Sequence, residues 1–265
     1  MDWGKANRIK RIIRPKTGRT VMLAVDHGYF LGPTTGLKVL SKAIMPLAPY
    51  ADCLMLTRGA LRTSIDPSVD KPIVLRVSGC NSILSEDLSN EEITVSMEDA
   101  IRLNTSGVAY SVYIGSKYEK QGLLNLTKLI DEGERYGIPV LAVTAVGKEM
   151  ARDARYLGLC CRIVAELGAS WVKTYYVEEG FDKMVENTPV PLVIAGGKKI
   201  PEKDALKLAY DAVTAGAVGV DMGRNIFQAE NPIAMIKAVR AVVHKNATVD
   251  EAYQLYEELS KKKKG

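Results

Sequence analysis

Eight short apolar runs, spaced along the whole chain, constrain the fold more than any other feature of this sequence. They are rich in Val, Ile and Leu, and most are nearly continuous rather than alternating. This composition is typical of parallel strands that are covered on both faces. The runs lie at residues 21–26, 51–57, 72–77, 108–114, 139–144, 171–176, 191–195 and 217–222.

Segments with helical spacing of apolar residues separate most of these runs. The pattern predicts helices at residues 36–47, 96–104, 122–136, 149–167, 201–215 and 231–244, with a last helix at 249–260. Gly137, Gly168 and Gly216 each stand just before a strand, where a helix C-cap is expected. This alternation predicts a (β/α)8 TIM barrel, and an open doubly wound sheet is the alternative. No Gly-x-Gly-x-x-Gly motif follows the first strand, which weakens a dinucleotide-binding interpretation.

Length and composition are those of an ordinary globular chain. The 265 residues are 47% hydrophobic and 25% charged, and α/β barrels of this length form one domain. We therefore expect a single barrel domain over residues 1–265, with residues 1–20 capping its closed end. The net charge is +5, and most of the basic residues are interspersed with acidic ones. The exception is a basic tail at residues 261–265, which we expect to be disordered. A nucleic-acid-binding arm is the alternative for this tail.

Several classes of protein are disfavoured by what the sequence lacks. The N-terminus has no secretory pattern, and no run of about 18 apolar residues predicts a membrane span. Cys53, Cys80, Cys160 and Cys161 form no Cys-x-x-Cys pair, and only two histidines are present. These features predict a cytoplasmic protein with reduced thiols and without a disulfide framework or a metal site.

Lys173 stands in the middle of the run at residues 171–176, which is otherwise apolar and aromatic. Burying an unpaired ammonium in a strand core is costly, but a lysine that loses its proton becomes a neutral nucleophile. The alternatives are a lysine paired with a buried carboxylate and one at the strand edge that reaches water. Lys173 is therefore our candidate for an imine-forming residue, and Trp171 and Tyr175 are expected to pack or to form pocket walls.

The turns after the seventh and eighth strands predict a phosphate site. Gly196 and Gly197 follow the seventh strand, and Gly223 and Arg224 follow the eighth. Glycine-rich turns leave backbone N–H groups free to face an anion, and barrel enzymes often bind phosphate at these two positions. Arg224 adds a fork of donors for phosphate oxygens. The alternative is that these glycines only form tight turns.

Asp26 and His27 end the first strand, where barrel active sites lie. A carboxylate near Lys173 can shuttle protons during imine formation, and an imidazole suits general acid–base chemistry near neutral pH. The alternative is a turn aspartate beside a core histidine. Arg76 lies within an apolar strand, so we expect an ion pair with Asp26 or Asp221.

Five segments of the chain resemble one branch of a known enzyme family. They are residues 22–30 (Met-Leu-Ala-Val-Asp-His-Gly-Tyr-Phe), 32–36 (Gly-Pro-Thr-Thr-Gly), 173–177 (Lys-Thr-Tyr-Tyr-Val), 194–199 (Ile-Ala-Gly-Gly-Lys-Lys) and 219–228 (Gly-Val-Asp-Met-Gly-Arg-Asn-Ile-Phe-Gln). In these segments the chain is similar to the thiolases of autoinducer-2 catabolism. Those enzymes belong to the archaeal-type class I (Schiff-base) aldolase family, and the similarity extends from Asp2 to about Tyr256.

The resemblance implies a barrel enzyme that cleaves a C–C bond through a lysine imine. It implies acetyl transfer from a phosphorylated diketone to coenzyme A, which leaves dihydroxyacetone phosphate and requires no bound cofactor. It also implies a ring-shaped homo-oligomer, commonly a decamer of stacked pentamers. The implied roles are imine formation at Lys173, an acid–base pair at Asp26 and His27, and phosphate-binding turns at Gly196, Gly197, Gly223 and Arg224.

Two other functions remain open from the sequence. The first is a class I aldolase, either a fructose-bisphosphate aldolase or a heptulosonate-type synthase. Archaeal-type fructose-bisphosphate aldolases carry a proton-donating tyrosine on the fifth strand, and Ala145 stands near that place here. The second is a non-catalytic sugar-phosphate-binding protein on the same scaffold.

Overall fold

Eight parallel strands close into a barrel in the computed structural model, which describes residues 2–261. Each strand pairs in parallel with its two neighbours, and β1 pairs with β8 to complete the ring. The (β/α)8 barrel predicted from the sequence is therefore confirmed. The strands are β1 (Thr20–Ala24), β2 (Cys53–Thr57), β3 (Ile73–Arg76), β4 (Gly107–Ile114), β5 (Val140–Val146), β6 (Trp171–Thr174), β7 (Leu192–Ala195) and β8 (Gly219–Met222).

One helix precedes β1, and the other helices come after strands along the chain. They are α1 (Trp3–Ile12), α2 (Gly28–Leu31), α3 (Leu40–Ile44), α4 (Arg58–Ser64), α5 (Met97–Arg102), α6 (Glu119–Tyr136), α7 (Ala154–Glu166), α8 (Phe181–Glu186), α9 (Glu202–Thr214), α10 (Arg224–Phe227), α11 (Pro232–Lys245) and α12 (Val249–Lys261), with a 3-10 turn at Ala48–Tyr50. Within residues 2–261, no helix is long and apolar enough to cross a membrane. The basic tail predicted at residues 261–265 lies outside the described residues, except for Lys261 at the end of α12.

Two predicted helices are shorter than the apolar pattern indicated. The helix predicted at 36–47 is only α3, because Gly36 has a φ of +82° and its backbone packs directly against Phe227. The helix predicted at 149–167 begins only at Ala154, where the Asp153 side chain accepts a hydrogen bond from the N–H of Tyr156. Asp153 is a favourable N-cap, so the chain before it remains a loop.

The glycine signals for helix ends agree with the structure. Gly137 is the C-cap of α6 in the left-handed conformation, with a φ of +67°. Gly168 and Gly216 stand one residue after the C-caps of α7 and α9, and they have φ values of +104° and +105°. A side chain at such φ values is strained, which explains why glycine ends these helices.

The barrel interior is filled from its N-terminal end. Ile12 of α1 packs against Trp171, and both lie in a buried cluster with Met22, Cys53 and Met55. A side chain at Gly107, the first residue of β4, would contact both Trp171 and Ile12. The packed cluster therefore closes this end of the barrel, and the cavity lies towards the C-terminal ends of the strands.

Asp52, which directly precedes β2, is the centre of a network of polar side chains at the N-terminal end of the barrel. Its carboxylate accepts from the Nε of Arg14 at 3.1 Å, from Arg240 at 2.9 Å and from the backbone N–H of Val21 at 2.7 Å, and it lies 2.6 Å from His244 Nε2. Burial alone would raise the pKa of Asp52, but the hydrogen bonds from His244 and Arg240 hold it well below its usual range. The network ties α11 to the start of β2.

Candidate active site

A cavity of about 570 Å³ opens at the C-terminal ends of the strands. Its lining comes from the ends of β1 and β3 to β8 and from the loops that follow them. The structure brings all seven predicted site residues to this one cavity. They are Lys173, Asp26, His27, Gly196, Gly197, Gly223 and Arg224.

Lys173 projects from β6 into the base of the cavity. Its Nζ lies 2.8 Å from Oδ2 of Asp221 on β8 and 4.0 Å from the sulfur of Met55. The lysine is therefore paired with a carboxylate, which was one alternative from the sequence, but the cavity lies directly beside the pair. Burial raises the pKa of Asp221, while the positive charge of Lys173 opposes this effect.

Asp26 forms a second buried carboxylate at the end of β1. Oδ2 of Asp26 lies 3.6 Å from Nη1 of Arg76, and Oδ1 lies 3.7 Å from Nδ1 of His27. Burial alone would raise the pKa of Asp26, but Arg76, His27 and Lys173 hold it below its usual value. Asp26 is therefore an anion near neutral pH, and it is one of the two partners expected for Arg76.

His27 lies between this carboxylate and the turn after β8. Its ring meets the edge of Phe227 at 5.5 Å, and a side chain at Gly223 would collide with its Cε1. Burial lowers the pKa of His27 to about 4, against the attraction of Asp26. The imidazole is therefore neutral at pH 7 and can exchange protons with a bound molecule without carrying a permanent charge.

Asn225 joins the two glycine-rich turns, and no sequence pattern singled out its side chain for this role. Its Nδ2 donates to the carbonyl of Gly196 at 2.6 Å, and its Oδ1 accepts from the N–H of Ile200 at 2.9 Å. Gly197 has a φ of +68°, which favours glycine. The neighbouring Arg224 lines the cavity, and its Nε is buried without a hydrogen-bond partner among residues 2–261. These turns can hold an anionic group.

A buried cluster around Glu91 contributes Tyr29, Arg76, Ser111 and Tyr113 to the cavity lining. Sequence patterns gave no signal for Glu91. Glu91 accepts from the hydroxyl of Tyr29 at 2.6 Å and from that of Tyr113 at 3.3 Å, and Arg76 Nη2 lies 3.2 Å from its Oε2. Arg76 also donates to Ser111 at 2.5 Å. Burial raises the pKa of both phenols above their usual range, so Tyr29 and Tyr113 are protonated donors.

Glu91 directly precedes the second strand of a short antiparallel ribbon that begins just after β3. The ribbon pairs Ser78–Gly79 with Glu92–Ile93. Strands of two residues are too short for any periodicity, so the ribbon could not be predicted from the sequence.

The rim of the cavity carries exposed cations and one aromatic wall. Lys148, Arg152 and Lys198 lie at the rim, and the guanidinium of Arg152 stacks 4.8 Å from the ring centre of Tyr175. Tyr175 lines the cavity, whereas Trp171 is buried in the cluster that closes the opposite end. Trp171 in β6 therefore lies at the closed end of the barrel, and Tyr175, just after β6, lies at the cavity.

The fold and the cavity define a class of protein, namely a (β/α)8 barrel of the Schiff-base aldolase type. The barrel matches the crystal structure of an archaeal fructose 1,6-bisphosphate aldolase with a TM-score of 0.83 and 26% sequence identity, over 91% of this chain and 99% of that chain. It also matches an archaeal fructose-1,6-bisphosphate aldolase whose catalytic Lys is covalently bound to the carbinolamine intermediate of the substrate. That match has a TM-score of 0.82 and 26% identity over the same shares.

The chain belongs to the DeoC/LacD aldolase family, whose model matches residues 20–229. A 3-hydroxy-5-phosphonooxypentane-2,4-dione thiolase of Photorhabdus laumondii subsp. laumondii is 59% identical over 256 residues, which cover 97% of this chain and 88% of the relative. A protein of the same name from Escherichia coli strain K12 is 58% identical over the same shares. The family resemblance inferred from the sequence is therefore confirmed.

Proposed function

We propose that this chain is a Schiff-base enzyme that transfers the acetyl group of 3-hydroxy-5-phosphonooxypentane-2,4-dione to coenzyme A. The products are acetyl-CoA and dihydroxyacetone phosphate. The observation that carries the proposal is the position of the Lys173 amine, which faces a cavity bounded on another side by Arg224 and the glycine turns. The names of the two thiolase relatives support the choice of substrate.

Binding begins with the phosphate group. Backbone N–H groups of the turns at Gly196, Gly197 and Gly223 face the phosphate oxygens, and Arg224 donates to them. The anchored substrate then presents its nearer ketone to Lys173. The amine adds to this carbonyl, and loss of water gives a protonated imine, which withdraws electrons from the neighbouring carbon.

Cleavage follows from this electron withdrawal. The thiolate of coenzyme A adds to the remote acetyl carbonyl, and the bond between that carbon and the hydroxyl-bearing carbon breaks. The two bonding electrons move towards the imine and form an enamine. Asp26 and His27, at the mouth of β1, lie on the cavity wall from which a proton can reach the enamine carbon. Hydrolysis of the resulting imine releases dihydroxyacetone phosphate and restores Lys173.

An assay of both products tests the proposal. Incubation of the phosphorylated diketone with the enzyme and coenzyme A is expected to give acetyl-CoA and dihydroxyacetone phosphate in equal amounts, and omission of coenzyme A is expected to stop turnover. Arg62→Ala is the matched control, because Arg62 lies on α4 outside the cavity and its loss is expected to leave turnover unchanged. Release of free acetate, or turnover without coenzyme A, would contradict acetyl transfer.

A class I aldolase is the second candidate, because the barrel is similar to the archaeal fructose 1,6-bisphosphate aldolase. Ala145 lines the cavity near the place where the resemblance puts a proton-donating tyrosine. A methyl group cannot donate a proton, so we expect cleavage of fructose 1,6-bisphosphate to be at least about 100-fold slower than acetyl transfer. Comparable rates for the two reactions would favour the aldolase.

The remaining features of the proposal come from the resemblance and the composition. We propose a homo-oligomer, a decamer of stacked pentamers, which light scattering tests by its mass. We also propose a cytoplasmic location, for which the four free cysteines give support. A sugar-phosphate-binding protein without catalysis would bind dihydroxyacetone phosphate but form no covalent adduct with it.

A further inference from the structure

Asp221 is a carboxylate in direct contact with Lys173, and from the sequence it was expected only as a possible ion-pair partner of Arg76. Its side chain is fully buried near the end of β8, and its Oδ2 lies 2.8 Å from the lysine Nζ. Apart from this contact, neither carboxylate oxygen has a hydrogen-bond partner among residues 2–261. Asp221 also lines the cavity, so a molecule bound at Lys173 lies beside it.

Asp52 shows how this chain stabilises a buried carboxylate that is purely structural. Both Asp52 oxygens contact donors, namely Arg14 and Arg240 on one oxygen and the Val21 N–H and His244 on the other. Asp221 has the same burial, but within residues 2–261 Lys173 is the one cation in direct contact with its carboxylate. A buried carboxylate with so few donors is destabilised as an anion and favours taking up a proton. The surroundings of Asp221 therefore differ from those of a permanent ion pair.

We propose that Asp221 transfers protons during imine formation, acting first as the base and then as the acid for Lys173. This inference rests on the proposed function, because it requires Lys173 to condense with the substrate ketone. The carboxylate takes one proton from the lysine ammonium, which becomes a neutral amine. The amine adds to the ketone carbon as the carbonyl π bond breaks, and the amine proton moves to the oxygen to give a neutral carbinolamine.

Asp221 then returns its proton to the carbinolamine hydroxyl. The C–O bond breaks, water leaves, and the nitrogen lone pair forms the second C–N bond of the protonated imine. The net change converts an ammonium, a carboxylate and a ketone into an iminium, the same carboxylate and one water. The regenerated Asp221 anion lies next to the iminium, so the charge balance of the pair is the same before and after the reaction.

The charged groups around Asp221 and Asp26 give these two buried carboxylates different pKa values. Lys173 lies opposite on β6, Asp26 follows β1, Arg76 belongs to β3, and the Cys53 thiol of β2 has its pKa raised partly by Asp221. The pKa of Asp26 is lowered and that of Asp221 is raised. Carboxyl groups whose pKa values are driven apart commonly have separate acid and base roles. Asp26 remains an anion while Asp221 carries the moving proton.

Asp221→Asn tests the proposal, because an amide has the same shape and cannot accept the proton. The protein is mixed with dihydroxyacetone phosphate, quenched with borohydride at successive times, and the adduct is measured by mass spectrometry. We expect adduct formation to be at least about 100-fold slower than in the wild type. Asp52→Asn is the matched control, because it removes a buried carboxylate at the other end of the barrel. We expect it to lower stability but not the adduct rate of the folded protein.

Asp221→Ala with added formate gives a second readout, because formate fits the space left by the side chain. Recovery of the adduct rate with increasing formate would support proton transfer. A wild-type rate in Asp221→Asn would overturn the proposal. A slow rate that formate does not restore would also overturn it, since Asp221 would then only hold Lys173 in place. If the wild type itself forms no adduct, the proposed function fails instead.

Discussion

Lys173 could be singled out from the sequence because it interrupts an apolar run, whereas its partner could not. Asp221 belongs to β8 and meets Lys173 of β6 only across the closed barrel. Glu91 and Asn225 are polar residues without a pattern, and their roles depend on the ribbon and on the turn after β8. Residue chemistry therefore predicts single candidates, while their partners require the fold.

The substitution Arg224→Ala tests whether this single residue binds the substrate phosphate. In the proposed function the guanidinium of Arg224 donates only to the non-reacting phosphate, so we expect its loss to raise KM at least about 10-fold with a small change in kcat. Steady-state kinetics with the phosphorylated diketone measure both parameters. Arg62→Ala is the control, because Arg62 pairs with Asp99 outside the cavity. An unchanged KM in Arg224→Ala would remove this arginine from the phosphate site.

At the scale of elements, the strands and long helices were predictable because burial imposes a period on their residues. The ribbon and α3 were not, since two-residue strands carry no period and the conformation of Gly36 depends on a tertiary contact with Phe227. The turns after β7 and β8 were recognised by their glycines. Sequence signals thus located the elements that carry the cavity and missed the ribbon that stands next to Glu91.

The ribbon gives a stability prediction through Glu91. Glu91→Ala leaves the buried guanidinium of Arg76 with Asp26 as its remaining carboxylate, at 3.6 Å. Breaking a buried pair in this way is expected to cost about 3–5 kcal/mol in the free energy of unfolding, measured with urea. Replacing Arg76 by Met in the same chain is expected to recover part of the loss. Glu257→Ala, on the exposed face of α12, is the control, and a similar small effect in both single variants would contradict the account.

The two glycine turns are expected to respond differently to alanine. A Cβ at Gly223 would lie 2.3 Å from the carbonyl oxygen of Ala24 and 2.4 Å from Cε1 of His27, whereas a Cβ at Gly197 meets no atom within 4 Å. Gly197→Ala therefore introduces only the strain of its positive φ, about 1–2 kcal/mol. We expect the thermal midpoint to fall more in Gly223→Ala than in Gly197→Ala. The reverse order would contradict the geometry of the turn after β8.

For the whole molecule, barrel closure brings residues from both halves of the chain to one cavity. The N-terminal end is packed around Trp171 and anchored through Asp52, so the cavity has one open end. The barrel and its C-terminal face were predictable from the alternation of elements. The distances between side chains were not, because they depend on strand register and on the packing of the closed end.

The pH dependence of stability tests the environment of His27. Above about pH 6.5 the imidazole is neutral in both states and contributes nothing. As the pH falls from 6.5 towards 4, the unfolded state binds a proton that the folded state cannot, so stability falls, by at most about 3 kcal/mol. Urea unfolding at several pH values measures this slope. His27→Gln is expected to flatten it over this range, and an unchanged slope would contradict the burial of a neutral imidazole.

The most direct test of the account is the site of covalent attachment. Borohydride reduction of the protein with dihydroxyacetone phosphate, followed by peptide mass spectrometry, is expected to place one reduced adduct on Lys173. Lys173→Met, which keeps the length of the side chain without the amine, is expected to give none. An adduct on another lysine, or equal labelling of the Lys173→Met protein, would contradict the account.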